Sequence, residues 1–166
     1  MNRPLIAILV LLVPWTVTHA DARSDAAREC RALHEAKNYD KAFAACNRAA
    51  KVGDVESQYL LGRQYEKAQG TPRDLEAALR LYRGAADKGH APSQRRVAAA
   101  YAWGVGGVDK DEAEALKWLK RAAEGGDTRA QKQLAEGYRR GGGGLPKDEK
   151  LAREWDERAA RGGKSN

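Results

Sequence analysis

The sequence contains few of the residues that bind metals in proteins. Its 166 residues include 2 cysteines, 3 histidines and 1 methionine. Two cysteines and three histidines leave little material for a metal centre built from protein ligands alone. The chain also has a single long apolar run, near its start, and this excludes a membrane protein with several spanning helices.

The composition as a whole is that of one folded domain. Hydrophobic residues make up 42% of the chain and charged residues 32%, which is enough to form a core and excludes collagen-like, low-complexity and wholly disordered chains. The 30 Lys and Arg residues outnumber the 23 Asp and Glu residues, so the formal net charge is +7. An acidic partner is therefore favoured electrostatically.

The N-terminal segment is typical of a secretory signal. Arg3 precedes an unbroken apolar run, Leu5–Val13, and small residues follow up to Ala20. A bilayer span needs about 20 apolar residues, so this run is too short to cross a membrane. We expect residues 1–20 to be removed and the protein to be periplasmic or, as a second choice, secreted. An uncleaved anchor or a buried strand are the alternatives.

A pattern of 36 to 37 residues recurs through the rest of the chain. Its landmark in the first half of each unit is a tyrosine, at Tyr65, Tyr101 and Tyr138. The second half repeats an aspartate at Asp74, Asp111 and Asp148, an alanine pair at Ala85–Ala86, Ala122–Ala123 and Ala159–Ala160, and a glycine at Gly89, Gly126 and Gly163. Such a period is typical of repeat architectures in which each unit is one supersecondary element.

Each unit is predicted to consist of two helices. Leu61 and Tyr65 are four residues apart, which places both on one face of the first helix. A loop with glycine, which tolerates positive φ, then ends that helix. Asp74 begins the second helix, because its carboxylate can cap free backbone amides. The pattern predicts an all-α chain with three repeats in residues 57–166, at residues 57–92, 93–129 and 130–163.

The order of these residues resembles that of Sel-one-like repeats, which are relatives of tetratricopeptide repeats. The resemblance rests on Ser57–Gln58, Leu61–Gly62, Tyr65, Asp74, Ala85–Ala86 and Gly89, and on two further copies in phase. It implies a right-handed α-solenoid of helix pairs that serves as a protein-binding scaffold. It does not imply an enzyme site.

Residues 21–56 form an abbreviated first unit that contains both cysteines. Cys30 and Cys46 each lie eight residues from Asn38 at the predicted turn, so an antiparallel hairpin brings them to one height. A disulfide there would stabilise the chain by about 3 kcal/mol in the chain-entropy model. Two free buried thiols, or a metal site with His34 as third ligand, are the alternatives.

The sequence gives little support for catalysis, and we expect no enzyme activity, cofactor or metal. After removal of residues 1–20 only His34 and His90 remain as histidines, and His90 is expected to be exposed in a loop between units. Ser57 and Ser93 occupy the small-residue position that Ala130 takes in the third unit. Packing therefore accounts for both serines better than nucleophilic chemistry does.

The first helices of the units are the expected contact surface, because first helices line the concave face of stacked pairs. Their basic residues are Arg63, Arg95, Arg96, Lys132, Arg139 and Arg140. A plain solvated helical face is the alternative interpretation. Trp103 is predicted to lie in a loop and to be an exposed contact, because tryptophan is enriched in binding hot spots.

These features predict an exported scaffold that binds a protein partner, one with an acidic surface, in the cell envelope. An anionic envelope polymer would also suit the basic face, whereas nucleic acid is seldom met by an exported chain. One alternative function is binding or hydrolysis of a cell-wall or β-lactam-type ligand, which some exported cysteine-bearing members of the resembled family are credited with. The other is carbohydrate binding through Trp103.

Overall fold

The computed structural model describes residues 18–162, and eight helices account for the regular structure there. They are α1 (Thr18–Glu35), α2 (Tyr39–Lys51), α3 (Val55–Lys67), α4 (Leu75–Ala86), α5 (Ala91–Trp103), α6 (Glu112–Glu124), α7 (Thr128–Arg140) and α8 (Glu149–Gly162). Most of the predicted signal segment therefore lies outside the described residues. Within them, no helix combines the length and apolar character that a membrane crossing requires.

The helices pack in chain order as four successive pairs. Contacts are most extensive within the pairs α1–α2, α3–α4, α5–α6 and α7–α8, and each pair also packs on the next. The buried apolar residues form three clusters along this row, and partly buried side chains such as Tyr59, Tyr65 and Leu119 pack against two of them each. The predicted all-α solenoid of helix pairs is confirmed.

A shared set of hydrogen bonds joins each pair to the next. The side-chain amide of a glutamine in the first helix of a unit donates to the second alanine carbonyl of the preceding alanine pair. These bonds are Gln58 to Ala50 (3.4 Å), Gln94 to Ala86 (3.1 Å) and Gln131 to Ala123 (2.9 Å). The first alanine carbonyl of each pair accepts from a backbone amide beyond the turn, and these bonds are Asp54 to Ala49, His90 to Ala85 and Asp127 to Ala122. We call this set of contacts the junction.

A second repeated contact closes the loop inside each unit. The backbone amide of the aspartate at the start of the second helix donates a hydrogen bond to the carbonyl of the repeated tyrosine. The distances are 3.1 Å from Asp74 to Tyr65, 2.9 Å from Asp111 to Tyr101 and 2.8 Å from Asp148 to Tyr138. Each of these carboxylates also caps an amide three residues on, as the helix-start pattern predicts.

The alanines and glycines of the pattern allow the close approach of neighbouring helices. Ala85 and Ala122 are fully buried. A Cβ added at Gly62 would lie 2.7 Å from the Tyr82 ring, so α3 meets α4 there with no room for a side chain. Larger residues at these positions would force the helices apart.

The first pair is closed by a disulfide. Cys30 in α1 and Cys46 in α2 are both fully buried, their Cα atoms are 4.6 Å apart, and their sulfur atoms are bonded. The same cluster contains Leu60 and Leu61 of α3, so the bridge lies inside the core that connects the first pair to the second. This pairing takes up both sulfur atoms and leaves neither for a metal.

The hydrogen bonds of the junction are expected to contribute to the free energy of unfolding. We expect Gln131→Ala to lower the free energy of unfolding by about 1 to 2 kcal/mol, because it removes the buried hydrogen bond from the Gln131 amide and leaves the Ala123 carbonyl with only backbone donors, the Gly126 amide among them. Gln133→Ala on the same helix is the matched control, since Gln133 is exposed, and we expect it to change little. Urea unfolding of both variants measures the difference, and equal destabilisation by the two would contradict the role given to the junction.

Candidate functional site

The structure places the predicted contact residues on three first helices. Arg63 lies on α3, Arg95, Arg96 and Trp103 on α5, and Lys132, Arg139 and Arg140 on α7. Ion pairs cross directly between these helices, from Arg96 to Glu66 and from Arg95 to Asp127 at the start of α7. The first helices are thus neighbours in space, although a second helix separates them in sequence.

Trp103 is the most exposed large apolar side chain of the described residues, at 79%. The sequence predicts that Trp103 lies in a loop, but it is the last residue of α5. The helix ends at Trp103 because the next residue, Gly104, adopts the left-handed conformation, with φ 63°, and its amide bonds to the carbonyl of Ala100.

Two apolar grooves flank α5, and both are lined by Ala99 and Trp103. One lies towards α3 and α4, has a volume of about 340 Å³, and includes Leu79, Tyr82 and Val105. The other lies towards α6 and α7, has a volume of about 490 Å³, and includes Leu116, Leu119 and Leu145. Trp103 therefore stands between two hollows that could receive apolar groups from another molecule.

The loop after α5 supports this arrangement. Gly106 has φ 76°, and a Cβ there would lie 2.8 Å from the carbonyl oxygen of Leu75. Because only glycine fits, the loop packs closely on the start of α4. Val105, which is 39% exposed, is held beside Trp103 at the rim of the smaller groove.

A larger hollow of about 630 Å³ lies elsewhere, between the loop at Thr71–Asp74 and Gly106–Gly107. Its walls are mostly loop residues, and Trp103 does not line it. Since an exposed aromatic anchor is the stronger indication of a binding site, we take the two grooves beside α5 as the candidate site.

Two of the predicted basic contacts are engaged inside the protein. The Arg95 side chain, 12% exposed, pairs with Asp127 at 2.9 Å, and Asp127 also caps the start of α7. Arg96 pairs with Glu66 at 3.0 Å, and Glu66 accepts a further hydrogen bond from the Tyr82 hydroxyl. Arg95 therefore has less of its side chain available to a partner than the sequence analysis expects.

The other predicted basic residues differ in whether they form ion pairs with carboxylates of the same chain. Arg63 lies over the Tyr59 ring at 5.7 Å, and neither it nor the exposed Lys132 has a carboxylate partner among residues 18–162. Arg139 bonds to Glu136 at 2.7 Å and to Asp156 at 2.5 Å, and Arg140 also pairs with Glu136. The unpaired positive charge of this surface thus includes Arg63 and Lys132.

Two side chains of the second helix pair, Tyr82 on α4 and Glu56 on α3, have shifted pKa values. Burial, together with the hydrogen bond to Glu66, raises the pKa of Tyr82 well above its ordinary value, so the hydroxyl stays a donor at neutral pH. The hydrogen bond from His90 lowers the pKa of Glu56, although burial acts against this shift. The His90–Glu56 contact joins the second pair of helices to the third. The Tyr82–Glu66 bond lies within the second pair, and Glu66 reaches the third pair through Arg96.

His90 is not exposed as the sequence analysis expected. Its side chain is 17% exposed, its Nε2 lies 3.3 Å from Glu56, and its Nδ1 lies 2.8 Å from the Ser93 hydroxyl. Ser, His and Glu in this order are the components of a nucleophilic triad. Ser93 is fully buried at the start of α5, however, so a substrate has no access to its hydroxyl. The equivalent Ser57 is fully buried as well.

The role of Ala99 was not predicted from the sequence. Its importance appears only when the first helices are compared in register, because Ala99 stands where the other units have Arg63 and Glu136. A short side chain at that place leaves the two grooves open along α5. The break in the repeat pattern was the available signal.

The contrast between Arg95 and Lys132 generates a prediction. They occupy equivalent places in the second and third units, but Arg95 is paired and nearly buried, whereas Lys132 is exposed. We expect Arg95→Glu to lower the free energy of unfolding by about 3 kcal/mol or more, because it puts a carboxylate beside the buried Asp127. Lys132→Glu should change it by less than about 0.5 kcal/mol. Thermal and urea unfolding measure the stability of both variants. Similar stability would contradict the conclusion that Arg95 is a paired, structural residue and Lys132 an exposed one.

Comparison with known proteins agrees with this architecture. The Sel1 repeat family model matches residues 55–90, 91–127 and 128–164. The unit boundaries that we predict, 57–92, 93–129 and 130–163, start two residues later and stay a prediction. Repeats of this family serve in general as scaffolds for protein–protein binding rather than as enzymes.

Two solved structures are similar to the chain. A Sel1 repeat protein from Oxalobacter formigenes is 30% identical, with a TM-score of 0.71, over 74% of this chain and 35% of that one. A protective antigen, c5321, present in uropathogenic Escherichia coli strains and displaying an SLR fold, is 30% identical, with a TM-score of 0.69, over 88% of this chain and 33% of that one. The chain thus spans about a third of the length of each. With three matched repeats and the helix pairs described above, the chain belongs to the Sel1 repeat family.

Proposed function

We propose that the protein is exported and binds a protein partner in the cell envelope through the first helices, with Trp103 as the principal contact. The observation that carries this proposal is the position of Trp103, 79% exposed between two apolar grooves. Leaving an indole in water forgoes the free energy of its burial. Exposed aromatic side chains beside apolar hollows are the usual anchors of protein interfaces.

Export is supported by the sequence and by the cysteine pair. Residues 1–20 combine an early arginine, a short apolar run and small residues up to Ala20. Disulfides persist in the periplasm and outside the cell but are rare in the cytosol, and the structure pairs Cys30 with Cys46.

Binding can be tested by capture from envelope extract. We expect Trp103→Ala to reduce the recovered partner by about tenfold or more, since it removes the anchor. Val52→Ala is the matched control, because Val52 is also an exposed apolar residue, at 48%, but lies at the end of α2. Quantitative mass spectrometry compares the two. Equal recovery with Trp103→Ala, or turnover of a reporter β-lactam by the purified protein, would contradict the proposal.

Export can be tested in a Gram-negative bacterial host that expresses the full chain. We expect the periplasmic fraction to contain a product beginning at Asp21, with cysteines that a thiol reagent modifies only after reduction. Leu9→Arg interrupts the apolar run and should leave the chain uncleaved in the cytoplasm. Mass spectrometry of each fraction distinguishes the products. A wild-type chain that stays full-length in the cytoplasm would refute export.

A further inference from the structure

The second unit differs from its neighbours at two exposed positions of its first helix. In register, Ala99 of α5 corresponds to Arg63 of α3 and Glu136 of α7. Trp103 corresponds to Lys67 and Arg140. The neighbouring units therefore carry long charged side chains where α5 carries a methyl group and an indole. We call Ala99, Trp103 and the two grooves beside them the α5 patch.

This exchange gives the α5 patch its apolar character. The Ala99 side chain ends at Cβ and leaves the middle of α5 low. Arg96 and Arg95 of the same helix line the smaller and the larger groove, but ion pairs hold them to Glu66 and Asp127. The walls come from Leu79 and Tyr82 on one side and from Leu116 and Leu119 on the other. An arginine at position 99, as in α3, would place a charged chain across the floor of both grooves.

The surfaces on either side of the α5 patch carry unpaired positive charge. On α3, neither Arg63 nor Lys67 has a carboxylate within ion-pair distance among residues 18–162. On α7, Lys132 is exposed and equally without such a partner in that part of the chain. Arg73, which lines the smaller groove, is a further exposed cation.

The carboxylates nearby do not offset this charge, because they are already engaged. Glu112, which lines the larger groove, pairs with Lys110 at 2.7 Å. Glu66 accepts hydrogen bonds from both Arg96 and Tyr82. Glu136 is shared by Arg139 and Arg140. An apolar centre with cations on both sides is thus what an approaching molecule meets.

We propose that the α5 patch binds a peptide segment of the partner in which one large apolar side chain has carboxylates before and after it. The inference rests on the proposed function, and it specifies the chemistry of the partner. The apolar side chain enters a groove beside Trp103 and supplies affinity, because it leaves water and contacts an aromatic surface. The carboxylates approach Arg63 and Lys67 on one side and Lys132 on the other, which favours association and selects against basic segments.

The experiment selects peptides from a random library on the full, disulfide-bonded protein. We expect the recovered sequences to share one large apolar residue with Asp or Glu on both sides. A synthetic peptide of that consensus should bind with an affinity that falls as salt rises, since screening weakens exposed charge pairs. Recovery of no sequences, or of sequences without acidic residues, would overturn the proposal.

Variants that copy the neighbouring units identify the site. Ala99→Arg and Trp103→Lys introduce the residues that α3 carries in register. Each should lower the affinity for the consensus peptide by about thirtyfold or more. Trp103→Lys serves if Ala99→Arg folds poorly, because the Trp103 side chain is mostly in solvent. Unchanged affinity in Trp103→Lys would overturn the proposal.

A matched pair of charge variants tests the flanks. Arg63→Glu with Lys67→Glu should lower affinity for the consensus peptide by about tenfold. Arg153→Glu on α8 is the control, because Arg153 is also exposed, and it should have no effect. If envelope capture depends on Trp103 but the peptides lack carboxylates, the proposed function stands and this inference fails. If acidic peptides bind but no envelope protein is captured, the proposed function fails instead.

Discussion

The junction between successive helix pairs is the contact on which the rest of the structure depends. A single pair of short helices cannot bury its apolar face alone, so each unit needs a fixed relation to the next. At each junction a glutamine amide and a backbone amide bond to the two carbonyls of an alanine pair. The alanines themselves are buried, so the same residues provide hydrogen bonds and close packing. A substitution at a junction would therefore disturb the packing of two units rather than one.

A constant junction also makes differences between units meaningful. Because the first helices keep one register, residues at equivalent positions present their side chains in equivalent directions. A methyl group and an indole on α5 then create a local apolar surface within a row that is otherwise charged at those positions. The family fold thus supplies a regular frame, and the departure from its pattern supplies the candidate site. The Ser93, His90 and Glu56 contacts belong to the frame, since Ser93 is fully buried.

The periodic features were predictable from the sequence because they rest on local spacing. Helix pairs, aspartate caps and the meeting of Cys30 and Cys46 all follow from distances along the chain. The pairing of Arg95 with Asp127 and of Arg96 with Glu66 did not follow, because these partners are 32 and 30 residues apart and are not repeated in the other units. His90 was likewise placed by contacts with another unit. For Trp103 the prediction began the loop too early, since α5 continues to Trp103 and Gly104 caps it.

Native-state hydrogen exchange measures the junction most directly. The amides of Asp54, His90 and Asp127 lie in turns, yet each donates to a buried alanine carbonyl, at 3.1, 3.1 and 2.9 Å. If neighbouring units are held together there, these amides exchange as slowly as those in the middle of α4 and α6, because only loss of the packed pairs exposes them. Exchange as fast as that of Gly143, in the glycine loop after α7, would mean that the turns open independently and would contradict the account.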